Sequence, residues 1–122
     1  MSSLKRLKKE LEDIQQYEGS EYHEKFTPTI IDDNMHKWTI SMMGPDKSDY
    51  AGQELSLSVD FPEDYPYKPP KIKFLTVNKL KSHPNIHQDG SICVDILKEE
   101  WSPILTITKV MVSLMSLLID KK

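Results

Sequence analysis

The chain has 122 residues, a length that fits one domain with one hydrophobic core. Its net charge is −3, which argues against a nucleic-acid-binding protein, because such proteins usually present a strongly basic face. No apolar run approaches the roughly 20 residues of a membrane-spanning helix, and the N-terminus lacks the apolar core of a secretory signal. The single cysteine cannot form an internal disulfide, so we expect a reducing compartment, the cytoplasm or the nucleus.

Residues 4–17 predict an amphipathic helix, because apolar side chains recur there at helical spacing. They are Leu4, Leu7, Leu11 and Ile14. The cations of this segment come first and its anions follow, which is the unfavourable order for the helix dipole. Local helix stability therefore does not explain the basic start. Two explanations stay open, a partner with an acidic surface or a merely solvated basic face.

Four short strands are predicted next. The first, near residues 26–30, contains Pro28 and so indicates an edge strand, and Asp32-Asp33-Asn34 indicates a turn. Period-two alternation of apolar residues then marks strands at 38–42, 55–61 and 72–74. Strands in series with short turns predict an antiparallel meander. Four prolines between 62 and 70 exclude a helix and predict an extended connector before the last strand.

A second helix is predicted from about Thr106, a suitable N-cap, to Ile119. Its core stripe consists of Ile107, Val110, Met111, Leu114, Leu117 and Leu118. Val112, Met115 and Ile119 are apolar as well and lie outside that stripe. We expect these three side chains to need cover from a further element or a partner, and hence self-association through this helix or marginal stability.

Residues 83–103 contain the side chains best suited to catalysis or metal binding, among them His83, His87 and Cys93. The Asp89-Gly90 pair predicts a hairpin turn, and the alternation after it points Cys93 away from its apolar neighbours. The simplest interpretation of a lone cysteine is a small buried hydrophobe.

Three chemical interpretations compete with that one. A zinc site of His83, His87 and Cys93 has no obvious fourth ligand. A cysteine–histidine hydrolase needs a general base and a substrate cleft, for which this chain is short. An acyl carrier needs an exposed thiolate, an amide donor for the oxyanion and little else.

The segment around Cys93 resembles the active-site signature of ubiquitin-conjugating enzymes. It combines His83-Pro84-Asn85, a spacing of eight residues from Asn85 to Cys93, and Trp101-Ser102-Pro103. Further stretches that resemble this family are Leu4-Lys5-Arg6, Gly44-Pro45, Tyr50-Ala51-Gly52 and the tract from Tyr65 to Pro70. The similarity spans residues 4–119.

The resemblance implies one α+β catalytic core over residues 1–122. We expect an N-terminal helix, a four-stranded antiparallel meander sheet, an active-site loop region and a second helix packed on the sheet. The family usually continues with two further helices that these residues do not include, so we expect a C-terminally short core. The segment 76–82 is longer than in similar members, and Ile104 stands where they usually have a small residue.

The resemblance also implies a transferase. Cys93 would accept ubiquitin from an activating enzyme as a thioester and pass it to a lysine or to a ligase cysteine, with a RING-type or HECT-type ligase as partner. Asn85 would stabilise the oxyanion or the loop, His83 would be structural, and Asp95 would orient the lysine. The implied ligase-binding residues are Lys5, Arg6, Lys9, Tyr67, Ser102 and Pro103, and the implied donor-ubiquitin face is Leu105, Val112 and Ser116.

No metal or cofactor is expected in this chain, because the activating enzyme upstream uses the ATP. The alternative function is a catalytically impaired module that only binds ubiquitin or a ligase, owing to the missing C-terminal segment.

Overall fold

The computed structural model describes residues 3–17, 26–44, 50–75, 91–92 and 97–119. Its elements are α1 (Ser3–Gln16), β1 (Thr27–Ile31), β2 (Asn34–Met43), β3 (Glu54–Asp60), β4 (Lys71–Phe74) and α2 (Ile107–Ile119). The four strands form one antiparallel sheet in the order β1-β2-β3-β4. The predicted α+β class, the meander and both helices are therefore confirmed. Neither helix in the described ranges has the length and apolarity needed to cross a membrane.

The predicted edge strand and its turn are both confirmed. Among the strands that the structure describes, β1 pairs only with β2, and Pro28 lies opposite Ile40. Asp32 and Asp33 have φ of 54° and 57°, the left-handed pair that a two-residue hairpin turn of type I′ requires. The side chain of Asn34 then accepts a hydrogen bond from the backbone N–H of His36 at 2.9 Å, which fixes the start of β2.

One face of the sheet and one face of each helix form a single core. The alternation predicted for the strands places every second side chain inside, for example Leu55, Leu57 and Val59 on β3. The same core cluster includes Leu7 and Ile14 of α1 together with the α2 stripe. The outward positions of β3 carry serines, so the period-two pattern decides which sheet face meets the helices.

The expectation of three uncovered apolar side chains on α2 is wrong for Met115. This side chain is 3% exposed and belongs to the core, while Val112 is half-buried against it. The side chain of Ile119 lies outside the described residues. Among the α2 side chains that the structure describes, the exposed positions are instead polar, at Lys109, Ser113 and Ser116, which follow one another at helical spacing. Self-association through this helix was expected because these side chains would be uncovered. Met115 is covered and Val112 is partly covered, so this reason no longer holds at Met115 and is weaker at Val112.

The connection between β2 and β3 is closed by a close backbone approach at Gly44. The backbone N–H of Gly44 donates to the carbonyl of Gln53 at 2.8 Å. A Cβ atom at Gly44 would lie 1.9 Å from the carbonyl oxygen of Tyr50, which already accepts the N–H of Gln53. Gly52, in the same connection, has φ of 80° and open space around its Cα. Glycine is therefore required at position 44 because a side chain would have no room there, and this reason does not apply to Gly52.

We predict that Gly44→Ala lowers the free energy of unfolding by about 3 kcal/mol or more, because the clash is with backbone that cannot rotate away. The matched control Gly52→Ala should cost only about 1 kcal/mol, since it meets strain from its φ and no clash. Urea unfolding of both variants measures the difference. Equal losses would show that the space at Gly44 is not the constraint.

Candidate functional site

Glu10 of α1 is a buried carboxylate that joins three separate parts of the chain. It is 2% exposed and is the one charged side chain buried among the described residues. It accepts hydrogen bonds from Arg6 Nε on its own helix, from the Tyr65 hydroxyl at 2.7 and 2.8 Å, and from the backbone N–H of Ile107 at 2.7 Å. Burying a charge is tolerable only with such compensation, so the three donors and the carboxylate depend on one another.

The carboxylate of Glu10 also completes the N-terminus of α2. Thr106 is the N-cap, as predicted, because its hydroxyl accepts the N–H of Lys109 at 3.3 Å. The N–H of Ile107, the first residue of the helix, has no acceptor within α2 and is bound by Glu10 instead. No acidic residue lies in the first turn of α2, so α1 supplies the negative charge that this helix end favours.

Arg6 connects α1 to the turn formed by residues 102–105. Its Nη2 donates to the carbonyl oxygens of Pro103 at 2.7 Å and Leu105 at 2.8 Å, while its Nε donates to the carboxylate of Glu10. Partial burial lowers the pKa of Arg6, but the hydrogen bond and charge of Glu10 outweigh it, so the pKa is raised overall. Part of the unfavourable basic start of α1 therefore has a purpose inside the fold.

An aromatic row links the sheet to this network. Neighbouring rings of this row pack on one another. The ring centroids of Trp38 on β2 and Phe61 are 4.7 Å apart, those of Phe61 and Tyr65 are 4.8 Å apart, and those of Tyr65 and Trp101 are 5.8 Å apart. Trp101 Nε1 donates to the carbonyl of Pro66 at 2.8 Å, which holds the connector (residues 62–70) against the 102–105 turn. Burial raises the pKa of Tyr65, and the charge of Glu10 and the hydrogen bond to it raise this pKa further.

The structure brings together the three segments that carry the predicted ligase-binding residues. Arg6 bonds the Pro103 carbonyl, and Trp101 bonds the connector next to Tyr67, which is 79% exposed. Lys5, Lys9 and Pro103 are exposed and Ser102 is half-buried. Arg6 differs from the two lysines, since its side chain is bonded within the chain. We call these six residues the ligase-facing surface, although their contact with a ligase is a prediction.

The predicted donor-ubiquitin residues lie along α2 and just before it. Leu105 precedes the helix and is half-buried, and its carbonyl is bonded by Arg6. Val112 and Ser116 are one helical turn apart, the first half-buried and the second exposed.

The predicted catalytic residues Cys93, Asn85, His83 and Asp95 lie outside the described residues, as do His87 and the Asp89-Gly90 turn. The nearest described residues are Ser91, which forms an isolated antiparallel bridge with Lys73 of β4, and Ile92, which is buried in the core. These contacts place the chain immediately before Cys93 beside the edge strand β4. Within the described ranges no group of side chains is arranged to hold a metal ion, and the zinc alternative at His83, His87 and Cys93 is untested.

Glu10 is the residue that sequence reasoning missed. A signal was present, because Glu10 lies three residues after Leu7 and four before Ile14, on the apolar stripe of α1. A carboxylate at a core position indicates buried partners, and Arg6 stands one helical turn before it. The identity of the distant partners could not be deduced from spacing along the helix.

Comparisons with known proteins agree on one family. The family model for ubiquitin-conjugating enzymes matches residues 6–122. An E2 domain of a Toxoplasma gondii ubiquitin-conjugating enzyme is similar at 41% identity and a TM-score of 0.85, covering 98% of this chain and 77% of that one. Human ubiquitin-conjugating enzyme E2 G1 is 32% identical with a TM-score of 0.83, covering 97% and 95% of the two chains. A Plasmodium falciparum E2 is 27% identical with a TM-score of 0.83, covering 97% and 99%.

The raised pKa of Tyr65 predicts a loss of stability at high pH. Above pH 10.0, the ordinary pKa of tyrosine, the unfolded chain releases this proton and the folded chain keeps it. The stabilisation is thus complete below that pH and is lost as pH rises toward the folded pKa, by about 1.4 kcal/mol per pH unit.

We expect Tyr65→Phe to remove this contribution to the slope above pH 10, at a cost of about 1–3 kcal/mol at neutral pH for the lost hydrogen bond to Glu10. Urea unfolding between pH 7 and 11 measures both effects. Tyr67→Phe, at an exposed position, is the matched control and should keep the wild-type slope. Identical alkaline slopes in the wild type and Tyr65→Phe would contradict the assignment.

Proposed function

Because this chain belongs to the ubiquitin-conjugating enzyme family, we propose that it carries ubiquitin as a thioester on Cys93 and transfers it to lysine with a ligase. The observation that carries the proposal is the family match over residues 6–122, which includes the whole segment from His83 to Pro103 with the single cysteine. Family membership implies a ubiquitin transferase that works with ubiquitin, an activating enzyme and ligases in general.

Two acyl transfers make up the proposed reaction. In the first, the Cys93 thiolate attacks the thioester carbonyl of ubiquitin on the activating enzyme, a new C–S bond forms, and the thiolate of that enzyme leaves. In the second, a lysine amine attacks the carbonyl on Cys93, the isopeptide bond forms, the C–S bond breaks, and the amine loses a proton. The side-chain amide of Asn85 would stabilise the oxyanion in the second step or hold its loop. His83 would hold the loop backbone, and Asp95 would orient the incoming lysine.

The proposed ligase would bind the ligase-facing surface. Its support is physical proximity, since Arg6 and Trp101 bond the segments that carry these residues to one another. A surface that carries an exposed aromatic and exposed cations suits a partner with an apolar pocket and an acidic rim, of the RING or HECT type. Donor ubiquitin would rest on Leu105, Val112 and Ser116. A thiol that must stay free for loading fits the reducing cytoplasm or nucleus.

The nucleophile is tested by substitution. After incubation with activating enzyme, ubiquitin and ATP, we expect the wild type to carry a ubiquitin adduct that a thiol reductant removes. Cys93→Ser should carry an adduct that resists the reductant, because an oxygen ester replaces the thioester. Intact mass and reducing gels measure both. Adduct formation by Cys93→Ala would refute the assignment, and a wild type without any adduct would favour the module that only binds.

The ligase-facing surface is tested by affinity for a ligase domain that accelerates ubiquitin discharge from the wild type. Tyr67→Ala should weaken binding by about tenfold or more, since a large exposed aromatic loses its contact area. The double reversal Lys5→Glu with Lys9→Glu should weaken it at low salt and much less at high salt, because exposed charges are screened.

Two variants elsewhere on the surface serve as matched controls. Leu75→Ala removes an exposed apolar side chain beyond β4, and Lys37→Glu reverses an exposed cation on β2. Both should bind the ligase like the wild type. Equal losses in the controls and the test variants would refute the location of the surface.

A further inference from the structure

We propose that Lys73 is an acceptor of ubiquitin within the same chain, onto which the thioester on Cys93 discharges when no other acceptor is present. The inference rests on the proposed function, because Cys93 supplies the activated acyl group. The observation that carries it is the antiparallel bridge between Lys73 of β4 and Ser91, which stands two residues before Cys93.

The bridge limits how far Lys73 can lie from Cys93. Residues opposite each other in an antiparallel pair have Cα atoms about 5 Å apart. The chain from Ser91 to Cys93 spans at most about 7 Å, so the Cα atoms of Lys73 and Cys93 are at most about 12 Å apart. An extended lysine side chain covers about 6 Å of this distance and a cysteine side chain about 3 Å. The remaining gap of at most about 3 Å is the separation of reacting atoms in a near-attack geometry.

The burial pattern around the bridge puts Lys73 on the face of the sheet where Cys93 is predicted. Ile72 and Ile92 are both buried in the core, whereas Lys73 is exposed and Ser91 is half-buried. Side chains opposite each other in a sheet lie on the same face, so Lys73 and Ser91 share the face away from the core. Cys93 lies outside the described residues, and the predicted period-two alternation assigns it to the face of Ser91.

The amine of Lys73 is available for reaction. Neither of the two salt bridges among the described residues involves it. Its opposite neighbour on β3 is Ser58, which carries no charge, whereas Lys71 on the same strand is opposite Asp60. A carboxylate directly across the strand attracts an ammonium group, and Lys73 has no such neighbour on β3.

The proposed step is a single acyl transfer. The unprotonated Nζ of Lys73 attacks the thioester carbonyl carbon, the C–N bond forms, the C–S bond breaks with the Cys93 thiolate as leaving group, and the nitrogen releases its proton to water. Because both groups belong to one chain, the amine acts at an effective concentration of about millimolar or higher. The product carries ubiquitin next to its own nucleophile, so self-transfer lowers the capacity of the chain for further loading.

Self-transfer is measured on the whole chain with activating enzyme and ATP, without ligase or added amine. The ubiquitin used has all lysines replaced by arginine, so it cannot be the acceptor. We expect a reductant-sensitive thioester to form first and a reductant-resistant adduct to follow, which peptide mapping by mass spectrometry locates at Lys73. Lys73→Arg should lower the rate of resistant adduct formation by about tenfold or more, because arginine keeps the charge and is no nucleophile.

Lys37→Arg and Lys71→Arg are the matched controls. Both lysines are exposed on the strands, Lys37 on β2, which is two strands away from β4, and Lys71 on β4 opposite Asp60. Both variants should form the resistant adduct at the wild-type rate. Thioester formation on Cys93 in the same samples shows that each variant is folded.

A mixture of two variants separates transfer within a chain from transfer between chains. Cys93→Ala keeps Lys73 and cannot be loaded, while Lys73→Arg can be loaded and lacks the acceptor. We expect no resistant adduct on Cys93→Ala in this mixture. The rate constant of the wild type should also be independent of its concentration, because the reaction is unimolecular.

Four outcomes would overturn the inference. They are a loaded wild type that forms no resistant adduct, an adduct that maps to another lysine such as Lys98, an undiminished rate in Lys73→Arg, and an adduct on Cys93→Ala in the mixture. The first three would show that Lys73 is not the acceptor, and the last that transfer occurs between chains. Failure of the proposed function looks different, because the wild type itself would then form no reductant-sensitive adduct.

Discussion

The burial of one negative charge, on Glu10, fixes how the two helices and the connector meet. A carboxylate that is 2% exposed must keep all of its donors, because removal of any one leaves charge without compensation in a medium of low dielectric constant. Those donors come from α1 itself, from Tyr65 and from the first amide of α2. The angle and register of the helices are thereby set by a polar contact as well as by apolar packing. Apolar packing alone would tolerate small shifts that three directional hydrogen bonds do not.

The sheet and the aromatic row give this network a rigid base. Apolar and polar residues alternate along each strand, which places the apolar side chains on the inward face of the sheet. The aromatic rings from Trp38 to Trp101 then pack in series from the sheet to the turn at 102–105. The fold and the proposed ligase-facing surface therefore share residues. Arg6 stabilises the charge of Glu10 and also shapes the turn, so the two roles cannot be adjusted separately.

What could be predicted from the sequence is what depends on neighbouring residues. The strands follow from period-two alternation, the Asp32-Asp33 turn from residues that tolerate positive φ, and the N-cap at Thr106 from its place before an apolar stripe. The partners of Glu10 are 55 and 97 positions away, and no local pattern encodes such a pairing. Met115 was misjudged for the same reason, because tertiary packing and not the helical stripe decides its burial. The roles of Cys93 and Asn85 came from family resemblance and stay predictions.

The Arg6–Glu10 pair also divides the surface into positions that evolution can alter freely and positions that it can alter only together. A descendant that loses Glu10 leaves Arg6 with only its bonds to the carbonyls of Pro103 and Leu105, and one that loses Arg6 inherits an unbalanced buried charge, so single steps pass through a less stable intermediate. Exposed positions such as Lys5 and Tyr67 carry no comparable penalty. Lineages of this chain should therefore diversify at the rim of the surface and change its centre only through paired substitutions.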